Sequence, residues 1–427
     1  MTLANINHLL RAISTTALTA YALITGVSGV AFATENGALP RAAHYLINAQ
    51  LPSGFFDFEM DFLSAKKEEV GNEDSIKDSA ILRMRFLARQ ALAAYALAKY
   101  YYFSKDESVR ERLVKSLIAL KVSSAPMRKP TSLSWIERAG LTSLPFGQIK
   151  LSRLLDQFGV LYEPKGNGRV LAHDGDYKTA FAGSTALALM AELFFSAVSG
   201  DHTFDDTRTA WLEGLMSFHM LTGGFRQHPL VTLRNPYSDG EAWLALALYA
   251  EILPELPQPL LNQIDDEMIR MYAGQRSMGF FPWGMMAAAS RFRATSEPKF
   301  LDFITQEGDQ ILQATKAPFA EDDNTCSLVE GLTAAAGALQ SVERINTELS
   351  GRLIERINSE MAKNRALQIK PAQERIGLAE GAYFFSERLG QYAGAFMAGR
   401  YLPYTRIDYT GHCMSAIIEM RWVARTR

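Results

Sequence analysis

Helices with no polar face recur along this chain, and they narrow what it can fold into. The stretch from Leu221 to Glu251, LTGGFRQHPLVTLRNPYSDGEAWLALALYAE, shows the unit. A glycine turn (Gly223, Gly224) carries Phe225 and leads through a polar, proline-marked loop. A helix follows, opened by Ser238, Asp239, Gly240 and Glu241, and nearly all apolar from Ala242 to Ala250. Such a helix offers no broad face to water, so it belongs inside.

Glycine-aromatic turns return at Gly54-Phe55-Phe56, Gly279-Phe280-Phe281 and, more loosely, Gly381-Ala382-Tyr383-Phe384. Their spacing is close to multiples of roughly 50 to 57 residues, the mark of a repeat whose unit cannot bury its own apolar face. The apolar helices are Ile81 to Tyr102, Gly183 to Val198, Gly240 to Ile252, Phe281 to Phe292, Cys326 to Leu339 and Gly411 to Ala424. Between them lie segments with a charged face: Val109 to Val122, Asp205 to Met220, Leu260 to Ala273, Pro298 to Ala314 and Asn346 to Met361. Alanine-rich helices can crowd around a centre while amphipathic ones form the wet wall. The alternation predicts an all-α protein, an (α/α) toroid of five to seven helical hairpins, with a stacked solenoid as its competitor. No linker divides residues 34–427, which read as one domain. Asp205 and Asp206 read as N-cap residues. Ser124 to Gly147 holds three prolines and reads as a loop around Trp135, and Ile149 to Phe158 as another helix. Glu163 to Tyr177 reads as a loop or small hairpin at one rim.

A formal net charge of −2 gives no field to attract a polyanion, so nucleic acid is not an expected partner. Arg11 precedes an uncharged apolar run from Ala12 to Phe32 that ends Ala31-Phe32-Ala33, a small-x-small pattern. Residues 1–33 are read as a signal peptide cleaved before Thr34, which predicts a periplasmic or secreted protein with no stable membrane insertion afterwards; a retained membrane anchor is the alternative. The two cysteines, Cys326 and Cys413, can pair in an oxidising compartment or stay as buried thiols. With His412 beside Cys413 a zinc site is the other reading, but no CxxC or HxxxH spacing supports it. No glycine-rich phosphate loop, GxSxG elbow or HExxH is present, so no metal or other cofactor is expected.

If the apolar helices form a parallel inner ring, their N-termini gather at one rim and the residues there converge. They are Asp174, Asp176 and Tyr177; Tyr237, Asp239 and Glu241; Trp283; Asp322, Asp323 and Glu330; and Arg406, Asp408, Tyr409 and His412. Asp239 and Asp323 also suit helix capping. Glu241 and Glu330 stand out because each falls inside an alanine-rich helix, where an ionised side chain is costly unless partnered or wetted. His412 reads as a proton shuttle or as a hydrogen-bonded core histidine.

The patterns YSDGEAWLALALY, CSLVEGLTAAAGAL and TRIDYTGHCMSAI resemble the six-hairpin glycosidase-like and N-acylglucosamine 2-epimerase-like toroids. The resemblance implies an oligo- or polysaccharide partner in a rim cavity lined by carboxylates, histidines and aromatics, and leaves the reaction open. Hydrolysis needs two carboxyls across the scissile bond, for which Glu241, Glu330, Asp239 and Asp408 are available. Epimerisation or elimination needs a base and a cation, for which His412, His228, Tyr409 and Arg406 are available. Trp243, Trp283, Phe280 and Tyr237 are the candidate stacking aromatics. A non-catalytic glycan-binding or assembly protein is the alternative, and a lanthionine-cyclase-like toroid with zinc on Cys326, His412 and Cys413 is a third.

Overall fold

The computed structural model describes residues 37–63, 67–68, 80–130, 162–220, 222–229, 231–253, 256–314, 322–342, 347–378 and 381–425. The expected leader, the helix at 149–158, and Trp135 with most of the loop around it lie outside them.

Among the described residues twelve helices run in alternation. They are α1 (Ala38–Ala49), α2 (Ala80–Ser104), α3 (Arg110–Val122), α4 (Ala182–Ser199), α5 (Asp205–Met216), α6 (Pro236–Ile252), α7 (Gln258–Tyr272), α8 (Phe281–Thr295), α9 (Pro298–Ala314), α10 (Cys326–Gln340), α11 (Thr347–Ala366) and α12 (Ile407–Arg425). The even-numbered helices pack in succession, α2 on α4, then α6, α8, α10 and α12, and α12 returns to α2. That closure makes a ring and excludes the open solenoid. The odd-numbered helices lie outside it, each against one or two inner neighbours. Among the described residues these helices make six hairpins.

The ring closes because small residues let its helices touch. Every residue of α4 from Ala182 to Phe195 and of α8 from Phe281 to Arg291 is buried. A glycine sits at successive crossings: a Cβ on Gly240 of α6 would lie 2.7 Å from the Trp283 Cβ of α8, and one on Gly331 of α10 would lie 2.9 Å from the Pro282 Cα. The helix Ala182–Ser199 is long and apolar enough to cross a membrane, but 78% of that stretch is buried inside the protein, as an inner-ring position requires.

Buried ion pairs join the layers. Asp265 of α7 accepts from Arg291 Nε of α8 at 2.8 Å and from Trp243 Nε1 of α6 at 2.8 Å. Glu192 of α4 pairs with Arg208 of α5 at 2.9 Å. Lys99 of α2 joins the first inner helix to the last, 2.6 Å from Glu419 and 2.7 Å from Ser415 Oγ of α12.

Short antiparallel strands decorate the ring. β1 (Glu59–Asp61) lies between β2 (Lys67–Glu68) and β9 (Tyr404–Arg406), with Glu59 opposite Arg406. β3 (Ser124–Pro130) pairs with β4 (Tyr162–Leu171), so the start of the expected 124–147 loop is a strand, and its register breaks between Pro126 and Arg128. Proline is tolerated there because the ladder has only two strands and both have a free edge. β5 (Arg226–His228) and β6 (Val231–Arg234) form a hairpin, as do β7 (Arg375–Gly377) and β8 (Tyr383–Phe385). The N-cap of α5 is Phe204, so Asp205 and Asp206 are first-turn residues, with Asp205 pairing to Arg208.

Glycine to alanine inside a helix normally gains about 1 kcal/mol. At Gly240 the clash with Trp283 reverses that sign, so Gly240→Ala is expected to lose about 1–3 kcal/mol. Gly351→Ala in α11, where a Cβ meets nothing within 4 Å, is expected to gain. Urea denaturation of both variants reads the difference, and equal shifts would contradict close packing of the ring.

Candidate active site

The heads of α6, α8, α10 and α12 bring four of the expected residues into two assemblies. In the first, His412 of α12 faces Glu330 of α10, Nδ1 to Oε2 at 2.7 Å. Glu330 is fully buried, whereas the His412 side chain keeps 19% of its surface. The imidazole therefore covers the carboxylate and leaves its other nitrogen, Nε2, uncommitted to Glu330. Trp283 lies against the ring at 5.6 Å between centroids. Burial pulls the His412 pKa down, but the charge and hydrogen bond of Glu330, with Asp408 adding to them, outweigh it and hold the imidazole above the usual histidine range. Glu330 Oε1 and the Thr333 hydroxyl one turn on have no hydrogen-bond partner.

Glu241 is the second assembly and is nearly alone. Its Oε2 packs onto Gly183 of α4, where a Cβ would lie within 1.8 Å of it, and the atom has no hydrogen-bond partner. Burial alone pushes this carboxyl up to about 8. It is a neutral acid at pH 7. The hydroxyls of Ser184 beside Gly183 and of Ser238 one turn before Glu241 are also buried without a partner. Unsatisfied buried polar atoms are uncommon and call for water or a ligand. Four of them fall in the first two turns of α4, α6 and α10, with the Thr333 hydroxyl one residue beyond.

Arg406, Asp408 and Tyr409 form a separate cluster. Arg406 binds Asp408 through two hydrogen bonds, 2.8 and 2.7 Å, and its guanidinium lies 4.3 Å from the Tyr409 ring centre. Arg89 of α2 approaches the same carboxylate at 3.6 Å. Burial and the hydrogen bond with Tyr404 push the Tyr409 phenol well above its ordinary range.

Other expected residues have structural work. Asp239 accepts from Phe225 N at 2.6 Å and from the Tyr272 hydroxyl, clasping the turn at Gly223 and Gly224, whose φ angles are 85° and 77°. Burial pushes it up to about 6. The helix is capped instead by Asn235, which accepts from Tyr237 N. His228 is buried, bonded through Nε2 to the Lys178 carbonyl at 2.7 Å, and burial lowers its pKa. Asp176 accepts from Lys178 N in a turn, and Asp174 pairs with His173 at 2.8 Å. The Asp322 carbonyl accepts from Arg400 N, and Asp323 bridges Gly399. Of the aromatics, Trp243, Trp283 and Phe280 are buried, so they pack the ring and cannot stack on a sugar. Tyr237 is 54% exposed, its ring against Gly279. Tyr177 packs on the core.

Cys326 and Cys413 form a disulfide, Cα to Cα 4.8 Å. Both sulfurs are thereby committed, which removes the zinc reading and the lanthionine-cyclase reading with it. No cluster of metal-ligating residues occurs among the described residues. Closing an 87-residue loop, the bond stabilises the fold by about 4–5 kcal/mol on the chain-entropy scale. Gly183 and the Lys99 pair were not singled out from the sequence; a glycine at the second position of an alanine-rich helix was the available signal for the first.

The sequence matches no protein-family model and no curated protein. Its structure is similar to the GH76A alpha-1,6-mannanase from Salegentibacter sp. HEL1_6, with a TM-score of 0.56 at 11% identity over 90% of this chain and 98% of that one. A GH76 alpha-mannanase from Bacteroides thetaiotaomicron gives 0.55 at 9% identity, over 91% and 95%. The chain has the six-hairpin glycosidase-like fold. In six-hairpin toroids as in other folds, activity belongs to the side chains at the site.

Glu241 folds with a proton that the unfolded chain loses near pH 4.5. Its contribution to stability therefore falls as pH rises from that value to about 8, by about 1.4 kcal/mol per unit at most. Glu241→Gln removes this cost, so the variant is expected to melt above the wild type at pH 8 and close to it at pH 4. Calorimetry at both values reads it; a lower melting temperature at pH 8 would mean that the carboxylate is needed by the fold.

Proposed function

We propose that this chain hydrolyses glycosidic bonds in a bacterial glycan, with Glu241 as general acid and His412, oriented by Glu330, as general base. The observation that carries the reading is Glu241, a carboxyl kept protonated near neutral pH with an uncommitted oxygen, on the rim of a ring whose fold is that of glycosidases. A protonated carboxyl in an apolar setting is what cleavage of an acetal requires.

In the proposed step, water attacks the anomeric carbon as the bond to the leaving oxygen breaks. Glu241 gives its proton to that oxygen. His412 Nε2 takes the proton from water, while Glu330 fixes the tautomer through Nδ1 and stabilises the imidazolium that forms. Tyr237, with one face against Gly279 and more than half its surface open, would stack on a sugar ring of the bound chain. An inactive variant of the Salegentibacter enzyme was captured with alpha-1,6-mannotriose, which makes alpha-mannan a first substrate to test.

Elimination is the weaker reading. Of its candidate bases, Tyr409 sits where its surroundings raise the phenol pKa and His228 is bonded to the Lys178 carbonyl, so elimination would draw on the same His412, and would leave the neutral Glu241 carboxyl without a defined part. We further propose export to the periplasm or beyond; the buried Cys326–Cys413 bond supports an oxidising compartment.

The two groups set opposite limbs of the pH profile. His412 must be unprotonated, so activity rises through a pKa above the usual 6.5, and Glu241 must be protonated, so activity falls through about 8. A panel of alpha-mannan and bacterial exopolysaccharides, assayed for new reducing ends, is expected to give a narrow optimum between the two. Glu241→Gln and His412→Gln should each lose about 10²–10⁴-fold. Binding of glycan without new reducing ends would make the protein a binding or assembly component instead.

A further inference from the structure

We propose that the Cys326–Cys413 disulfide positions the Glu330–His412 pair, so that the hydrolysis proposed above runs at full rate only while this bond is oxidised. The inference rests on that reading for its catalytic consequence, and on the interface between α10 and α12 for its geometry. Cys326 is the first residue of α10, and Glu330 follows one turn later on the same face. Cys413 follows His412 directly in α12. The covalent link and the 2.7 Å hydrogen bond thus cross the same interface within about one turn of each other.

Other contacts hold each helix head to a third segment as well as to its neighbour. Asn324, just before the N-cap Thr325 of α10, accepts from Cys326 N at 3.0 Å and donates to the Met397 carbonyl at 3.1 Å and to Cys413 Sγ at 3.4 Å. Thr410 of α12 accepts from Phe396 N at 3.1 Å. Both heads therefore lean on the strip 396–397, and the disulfide is the covalent tie between them. Moving the two heads apart by about 1 Å along the bond would stretch the 2.7 Å dyad beyond hydrogen-bonding range. Both cysteines are fully buried, so the link is shielded from casual exchange.

The groups facing His412 define the readout. Glu330 approaches from α10, Trp283 from α8, and Asp408 and Arg406 from the head of its own helix, with Arg89 of α2 on Asp408. When Glu330 moves away, burial and Arg406 act against Asp408 alone. The imidazole then titrates lower.

The test follows the His412 ring protons by NMR, assigned with His412→Gln, in oxidised protein, in folded protein reduced with dithiothreitol until two thiols are counted, and in Cys326→Ala/Cys413→Ala. Reduction or substitution is expected to lower the His412 midpoint by about one pH unit. It is also expected to lower kcat about tenfold or more with KM within about twofold, while the helical circular dichroism is kept. An unchanged midpoint with only a lower melting temperature would overturn the proposal, because the bond would then be a staple. Loss of helicity on reduction would overturn it too. The titration needs no glycan: a shifted midpoint in a protein with no hydrolytic activity would contradict the hydrolase reading and leave the positioning role standing.

Discussion

Where six helices crowd around one axis, alanine and glycine set their spacing, and an ionisable side chain turned inward loses its water. Its charge must then be matched or given up. The protein takes both routes. Lys99 with Glu419, Arg291 with Asp265 and Arg208 with Glu192 are matched pairs, each tying neighbouring helices of the ring or its wall. His412 and Glu330 are matched in the same way, but at the rim, where the imidazole keeps part of its surface exposed. Glu241 has no counter-charge and stays neutral.

That division separates scaffold from chemistry. The pairs deeper in the ring tie its layers together, although Glu192 Oε2 and Arg208 Nε also have no hydrogen-bond partner and burial pushes Glu192 up to about 8. The first turns of α4, α6 and α10 collect the unsatisfied oxygens of Ser184, Ser238, Glu241, Glu330 and Thr333. A folded protein leaves such atoms unmatched at a cost of about 1–3 kcal/mol each, which a hydroxyl-rich ligand would recover. The disulfide sits at this boundary, between the scaffold below and the reactive edge above.

The ring itself was legible in the sequence because its cause is local: alanine-rich helices with no polar face alternate with amphipathic ones. Glu241 and Glu330 were legible for the same reason, as charges set among alanines. Asp239 and His228 looked equally suitable at the rim, yet one clasps a glycine turn and the other holds a loop carbonyl. Those partners lie 14 and 50 residues away, so spacing along the helix could not reveal them. Trp283 failed as a stacking residue because Gly240 lets it sink into the ring. The cysteines were undecided between thiols, disulfide and zinc until ring closure brought two helix heads together across 87 residues.

The protonation state of Glu241 is what the account turns on. Infrared difference spectra of wild type against Glu241→Gln, with side-chain carboxyls isotope-labelled, read it directly across pH 5 to 9. The account predicts a protonated carboxyl band for Glu241 at pH 7 that vanishes with a midpoint of about 8. A band already absent at pH 6 would show an ionised carboxylate, and the general acid would have to be sought elsewhere on the rim.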